Sequence, residues 1–125
     1  MIYKESTLKV MDNSGARIIK CIDTLSKKKY QTYGTIIKGV ITHLRWKRRK
    51  YSKVKRKSKY QILILHSHSN KKSKTLYQTK FTQNYGLPLS IQNKPYATRI
   101  KAKLPQQFRF SKFFKLITIS GGLIF

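Results

Sequence analysis

Beyond Asp23 the chain has no acidic residue: Glu5, Asp12 and Asp23 are its only carboxylate side chains, set against 29 Lys and Arg, for a formal net charge of +26. A compact state with that imbalance repels itself, so its fold calls for a partner dense in negative charge. The phosphate backbone of a nucleic acid is such a partner, and a basic surface of this extent is its electrostatic footprint. Abundant Lys, Ile, Tyr and Ser with three Ala also suggest coding from an AT-rich genome. Such drift exchanges Arg for Lys, but does not by itself strip Asp and Glu from about a hundred residues.

A chain of 125 residues supports one small core, and is read as one domain over 1–125. A single cysteine, Cys21, cannot form an intramolecular disulfide. Its setting, Ile18-Ile19-Lys20-Cys21-Ile22, is that of a buried strand, where a free thiol packs as a small hydrophobe. No apolar run approaches the roughly 18 residues of a membrane span, so no membrane is expected as a partner. The N-terminus has no apolar signal core.

Enrichment in Ile, Val, Thr and Tyr marks strands at Thr7 to Met11, Arg17 to Leu25, Thr35 to Leu44, Tyr60 to His66 and Leu76 to Thr82. Asp12-Asn13-Ser14-Gly15 tolerates positive φ and bonds its own backbone, so it makes a tight connection between the first two. The expected fold class is mainly β: a small five-stranded closed barrel over about 1–93, a short helical C-terminal part over about 94–125, and an extended basic loop. In the tail one short helix is expected after Pro105, because Pro suits a first helical position. Phe108, Phe110, Phe113 and Phe114 are read as core that caps the barrel, since Phe near helical spacing faces protein more often than it stacks on bases.

The strongest chemical signal is the run from Arg45 to Lys59, in which ten of fifteen residues are basic. Its charges repel and its apolar content is too low to bury, so it gains order when phosphates neutralise it. Arg45, Arg48, Arg49 and Arg56 offer planar forks for bidentate phosphate contact. Lys47, Lys50, Lys53, Lys55, Lys57 and Lys59 act as point charges. Trp46 and Tyr51 add faces for stacking. Because the run interrupts strands rather than ending the chain, it reads as a loop reaching into RNA and not as a targeting tail. Arg17, Lys20, Arg99, Lys101 and Lys103 complete the expected RNA-binding set.

Catalysis and metal binding lack material. His66 and His68 alternate at a strand end without a Cys or Asp cluster to complete a metal site, and are expected on the surface near RNA. Gly121-Gly122 is not followed by Lys and Ser or Thr, so it is no phosphate loop. Three carboxylates confined to the N-terminal segment leave no pair for acid–base chemistry. The chain is read as non-enzymatic, with no cofactor.

Thr7-Leu8-Lys9-Val10-Met11-Asp12-Asn13-Ser14-Gly15-Ala16-Arg17 with Cys21-Ile22, after an opening Met1-Ile2, resembles the family of ribosomal protein fourteen of the large subunit. Gly34-Thr35-Ile36-Ile37, Lys53-Val54-Lys55-Arg56, Pro95, Thr98-Arg99-Ile100 and Lys115-Leu116-Ile117 follow in the family's order over essentially the whole chain. The sequence departs from the pattern with Lys57 and Ser58 for Gly and Asp, His66 for Arg, Ala97 for Gly, Ala102-Lys103 for Gly-Pro, and no Glu near Gln107. The stretch from Trp46 to Tyr51 lengthens the basic loop. The resemblance implies a structural constituent of the large ribosomal subunit, bound to large-subunit ribosomal RNA and contributing to bridges with small-subunit RNA. It also implies proteins three and nineteen of the large subunit as neighbours, and a possible silencing factor on the exposed face. With the resemblance beginning at Met1, no presequence is expected. Together with the AT-rich usage this points to synthesis in an organelle, a mitochondrion first and a plastid second. A free-standing basic RNA- or DNA-binding chaperone is the other class that charge and barrel allow. A membrane-active cationic protein would need an amphipathic basic helix, which interrupted strands do not provide.

Overall fold

Branched and aromatic side chains pack well on a pleated surface, and four of the five expected runs are strands. The computed structural model describes residues 1–25, 31–45, 53–68 and 81–124. Its strands β1 (Thr7–Lys9), β2 (Ala16–Thr24), β3 (Ile36–Leu44), β4 (Lys59–His66) and β5 (Tyr85–Leu89) form a closed barrel in chain order. Sequential neighbours are antiparallel, and β1 closes on β5 in parallel at Lys9↔Tyr85. There the Lys9 N–H donates to the Asn84 carbonyl at 2.9 Å.

The fifth strand differs from the expectation over Leu76 to Thr82. Residues 76–80 lie outside the described residues, Phe81 makes one bridge with His68, and Thr82 is not in a strand. The fifth strand is Tyr-Gly-Leu-Pro-Leu instead. Gly86 and Pro88 lower its strand propensity, yet both fit. β1 reaches β5 only at Tyr85, so the missing N–H of Pro88 leaves no β1 ladder bond unmade. A Cβ on Gly86 would stand 2.8 Å from Ile62 Cγ2, and one on Gly39 2.8 Å from Ile19 Cγ2 and 2.9 Å from Ile62 Cγ1. These two glycines let the small barrel close around Ile62.

The barrel interior gathers Leu8, Ile19, Cys21, Ile37, Ile41, Ile62 and Ile64, with Val54 inserted from the chain between β3 and β4. Full burial of such a side chain contributes about 2 kcal/mol. Cys21 is a buried free thiol, whose pKa burial and the neighbouring Asp23 push up. That is the state of a packed thiol, not of an activated nucleophile.

β4 carries a second core on its other face. Leu63 and Leu65, with Leu87 and Leu89 of β5, pack under Ala97, Ile100, Ala102, Leu104, Phe108 and Leu116 of the C-terminal segment. Hence Ile62-Leu63-Ile64-Leu65 is an unbroken apolar run, as expected of a strand buried on both faces. The covering segment folds as β6 (Leu104–Pro105) parallel to β7 (Leu123–Ile124), with a 3₁₀ turn over Gln106–Phe110 and one helical turn, α1 (Leu116–Ile119).

Two expectations for this segment change. Pro105 precedes the 3₁₀ turn in an extended conformation (φ −62°, ψ 146°) and does not occupy its first position. Among the aromatics, Phe108 is buried and Phe113 partly so, but Phe110 is 89% and Phe114 54% exposed. At three residues per turn, positions 108 and 110 lie two-thirds of a turn apart, so the 3₁₀ turn that buries one turns the other outward.

Candidate nucleic-acid interface

The tight connection between β1 and β2 ties the two ends of the chain together. Asp12 is fully buried, and its Oδ1 accepts from the Ser14 backbone N–H at 2.8 Å and the Ser14 hydroxyl at 2.6 Å. Gly15 takes φ +95°, a conformation that costs Gly little. Burial pushes the Asp12 pKa up, against the Ser14 hydrogen bonds and the Arg45 charge. Asn13 then clamps the distant Thr98-Arg99 pair. Its Oδ1 accepts from the Thr98 N–H (2.9 Å) and the Arg99 N–H (3.2 Å), while its Nδ2 donates to Thr98 Oγ1 at 2.7 Å. The Lys101 N–H donates to Met11 O at 2.7 Å, and Asp12 bridges Ile100. Segments more than eighty residues apart in the chain thus form one structural unit.

That clamp sets an alternation in the C-terminal segment. Ile100, Ala102 and Leu104 are buried, while Arg99, Lys101 and Lys103 between them are exposed. Val54 does the same for its neighbours, anchoring in the barrel while Lys53 and Lys55 stay exposed. The Lys55 N–H donates to Tyr60 Oη at 2.9 Å, and Arg56 Nε donates to Thr42 O at 2.9 Å, so this stretch is tied to the barrel. Lys57, where the resembling family usually has Gly, adopts φ +64°, a conformation that costs a non-glycine residue about 1 kcal/mol or more. Lys59 is exposed at the start of β4.

The other predicted residues divide by role. Arg17 is exposed on β2, and lines an open cleft with Lys9, Met11, Ile18 and Arg45. Arg45 is partly buried and donates to Val10 O at 2.7 Å, so it positions the cleft wall. Lys20 pairs with Glu5 at 3.2 Å, just as Lys4 pairs with Asp23 at 3.4 Å. Both are exposed pairs and bind their partners weakly. Trp46, Lys47, Arg48, Arg49, Lys50 and Tyr51 lie outside the described residues. Outside the predicted set, Lys9 on β1 and Lys38 on β3 also stand on the barrel's outer face. Both are exposed outward positions of their strands, a placement that the alternation of side chains along a strand signals.

His66 corrects the expectation of a surface histidine. It is buried, stacked on Phe81 at 3.9 Å between ring centroids, with Nε2 2.6 Å from Lys103 O. Burial lowers its pKa, against the hydrogen bond to Lys103. The tail that covers the outer face of β4 makes this a core position. His68 is exposed, with Nδ1 2.9 Å from Phe81 O.

The match to a family model over nearly the whole chain places this closed barrel, with its outward cations and latched C-terminal segment, among the ribosomal proteins. The chain is a member of the Ribosomal protein L14p/L23e family, whose model matches residues 1–124. It is 33% identical over 126 aligned positions to "Large ribosomal subunit protein uL14" of Carsonella ruddii (strain PV), covering 99% of this chain and all of that protein.

Proposed function

We propose that this protein is a structural constituent of the large ribosomal subunit that binds large-subunit ribosomal RNA through phosphate contacts, and reaches small-subunit RNA where the subunits meet. One observation carries the reading: apolar residues that anchor the fold alternate with cations that do nothing for it, as in Arg99 to Leu104 and Lys53 to Lys55. Exposed Lys and Arg without a role in packing are the groups that neutralise phosphate. They position a protein on RNA without reading its sequence. Family membership supports the ribosomal setting. The neighbours we propose are proteins three and nineteen of the large subunit, with a silencing factor on the exposed face. The AT-rich residue usage favours an organellar ribosome, mitochondrial before plastid. Subcellular fractionation tests that placement, and recovery of the protein only outside both organelles overturns it.

The RNA-binding reading is tested by the salt dependence of binding to a large-subunit RNA fragment. If the basic run neutralises about five phosphates, log affinity falls against log salt with a slope of roughly −3.5 to −4.5. Replacing Arg48, Arg49, Arg56 and Lys57 with Ser flattens that slope by a few units and weakens binding to unrelated RNAs alike. An unchanged slope in that variant overturns the role assigned to the run.

A further inference from the structure

A second kind of RNA contact is built where β3, β4 and β5 run side by side. Gln61 of β4 pairs with Lys38 of β3 on one side and Leu89 of β5 on the other, so the three side chains stand in one row on the barrel's outer face. Beside that row opens a cleft lined by Lys38, Lys59, Tyr60, Gln61, Ile91 and Tyr96. Tyr60 and Tyr96 meet edge to face, with ring centroids 5.6 Å apart and planes at 85°, an arrangement that leaves each ring a face its partner does not use. The rim is cationic and contains no acid.

Two features of this cleft have no purpose in the fold. Gln61 Oε1 is enclosed yet has no hydrogen-bond donor among the described residues, and a buried acceptor left unpaired is costly. Ile91 is 93% exposed, held out on a turn closed by Ser90 N–H to Lys94 O at 2.8 Å and Asn93 N–H to Ser90 O at 2.9 Å. A turn fixed in this way presents a bare aliphatic side chain at the mouth of an aromatic cleft.

We propose that this cleft binds a single unpaired nucleobase of RNA. The base stacks on a tyrosine face and packs against Ile91. The Gln61 amide turns about its last torsion to bring the enclosed Oε1 into the cleft, where it accepts an N–H from the Watson–Crick edge, while Lys38 and Lys59 meet the flanking phosphates. A protein neighbour's apolar side chain would fill the cleft, but it would leave Gln61 Oε1 without a donor and the two lysines without an anion. A base with its phosphates satisfies all three.

The proposal rests on the chain being an RNA binder, and the experiment separates the two. The full-length protein is titrated with three RNA hairpins: fully paired, carrying one bulged adenosine, and carrying an abasic bulge. The expected result is that all three bind with similar salt dependence and the adenosine bulge binds on the order of tenfold tighter, the size of one base–aromatic stack. Gln61→Met and Ile91→Ser are expected to reduce that preference while leaving binding of the paired hairpin unchanged, which also shows that the variants fold. Tyr96→Leu is expected to abolish the preference. Equal binding of the three hairpins, or a preference that survives all three substitutions, overturns the base cleft and leaves phosphate binding intact. Failure to bind any hairpin overturns both.

Discussion

The two sides of the barrel differ in what covers them. Over β4 and β5 the outer face is aliphatic, with Leu63, Leu65, Leu87 and Leu89, and the chain's own C-terminal segment covers it. Over β1, β2 and β3 the outer face carries Lys9, Arg17, Lys20 and Lys38, and the second core reaches it only at its margin, through Ile36 of β3. The chain uses leucine where it covers itself and cations where it does not. A cation on the open side is therefore dispensable to the fold and suited to an outside partner, while a leucine on the covered side has the opposite balance.

The widest contrast is expected between Leu63→Ala and Lys38→Ala. The first empties a fully buried position and costs about 3 kcal/mol through lost burial and the cavity left behind. The second is a surface change worth less than about 0.5 kcal/mol. Thermal denaturation in sodium sulfate, which screens the self-repulsion of a +26 chain and strengthens apolar burial, reads both. Binding to RNA reverses the order for the protein that remains folded: Lys38→Ala weakens it and Leu63→Ala does not. Equal stability losses would break the comparison.

Asn13→Ala tests the latch between the two sides. It removes the hydrogen bonds to Thr98 and Arg99, and a net loss of roughly 1–2 kcal/mol is expected from their ordinary worth. Hydrogen exchange should rise first at the Lys101 amide, which bonds Met11 O. Exchange that rises evenly across the barrel instead would show that Asn13 acts on the whole fold.

A smaller effect comes from His66 on the covered side. Its folded pKa lies below the ordinary 6.5, so the unfolded chain takes up the proton first. The His66 contribution is complete above pH 6.5 and is lost as pH falls from there through the folded value. Asp12 acts with the opposite sign. Its pKa is raised above 3.8, so in the window just above 3.8 stability falls as pH rises. His66→Phe keeps the ring against Phe81 and should flatten the stability profile on the acid side of pH 6.5. A profile unchanged by that substitution would mean that the imidazole titrates as freely folded as unfolded.

Much of the open side was legible in the sequence, and less of the covered side. β1 to β4 were found because branched residues concentrate there, and the turn at Asp12 to Gly15 because its side chains announce positive φ and local hydrogen bonds. β5 was missed because Gly86 and Pro88 argue against a strand wherever tertiary closeness does not require them. His66 was misplaced because nothing local shows that a segment 37 residues later will cover its strand. Phe110 was misread because a 3₁₀ turn orients side chains differently from an α-helix of the same spacing, and Phe114 because the helical spacing does not continue past the Ser111 cap. The cations in the basic run stood out as a block, whereas Lys9 and Lys38 stand alone and become visible only once strand faces are assigned. The base cleft has no linear signature, since Gln61, Ile91 and Tyr96 meet only through strand register and a turn.

The central claim is that the open cationic side exists to hold RNA within a ribosome. It is tested most directly by sedimenting ribosomes from the source cells through a high-salt cushion and quantifying this protein against other large-subunit proteins. The account predicts retention in the large-subunit fraction at one copy per subunit, because a protein embedded in folded RNA is held by many simultaneous phosphate contacts. Quantitative release into the supernatant at a salt concentration that leaves the other large-subunit proteins in place would contradict it, and would identify a free-standing basic RNA- or DNA-binding protein instead.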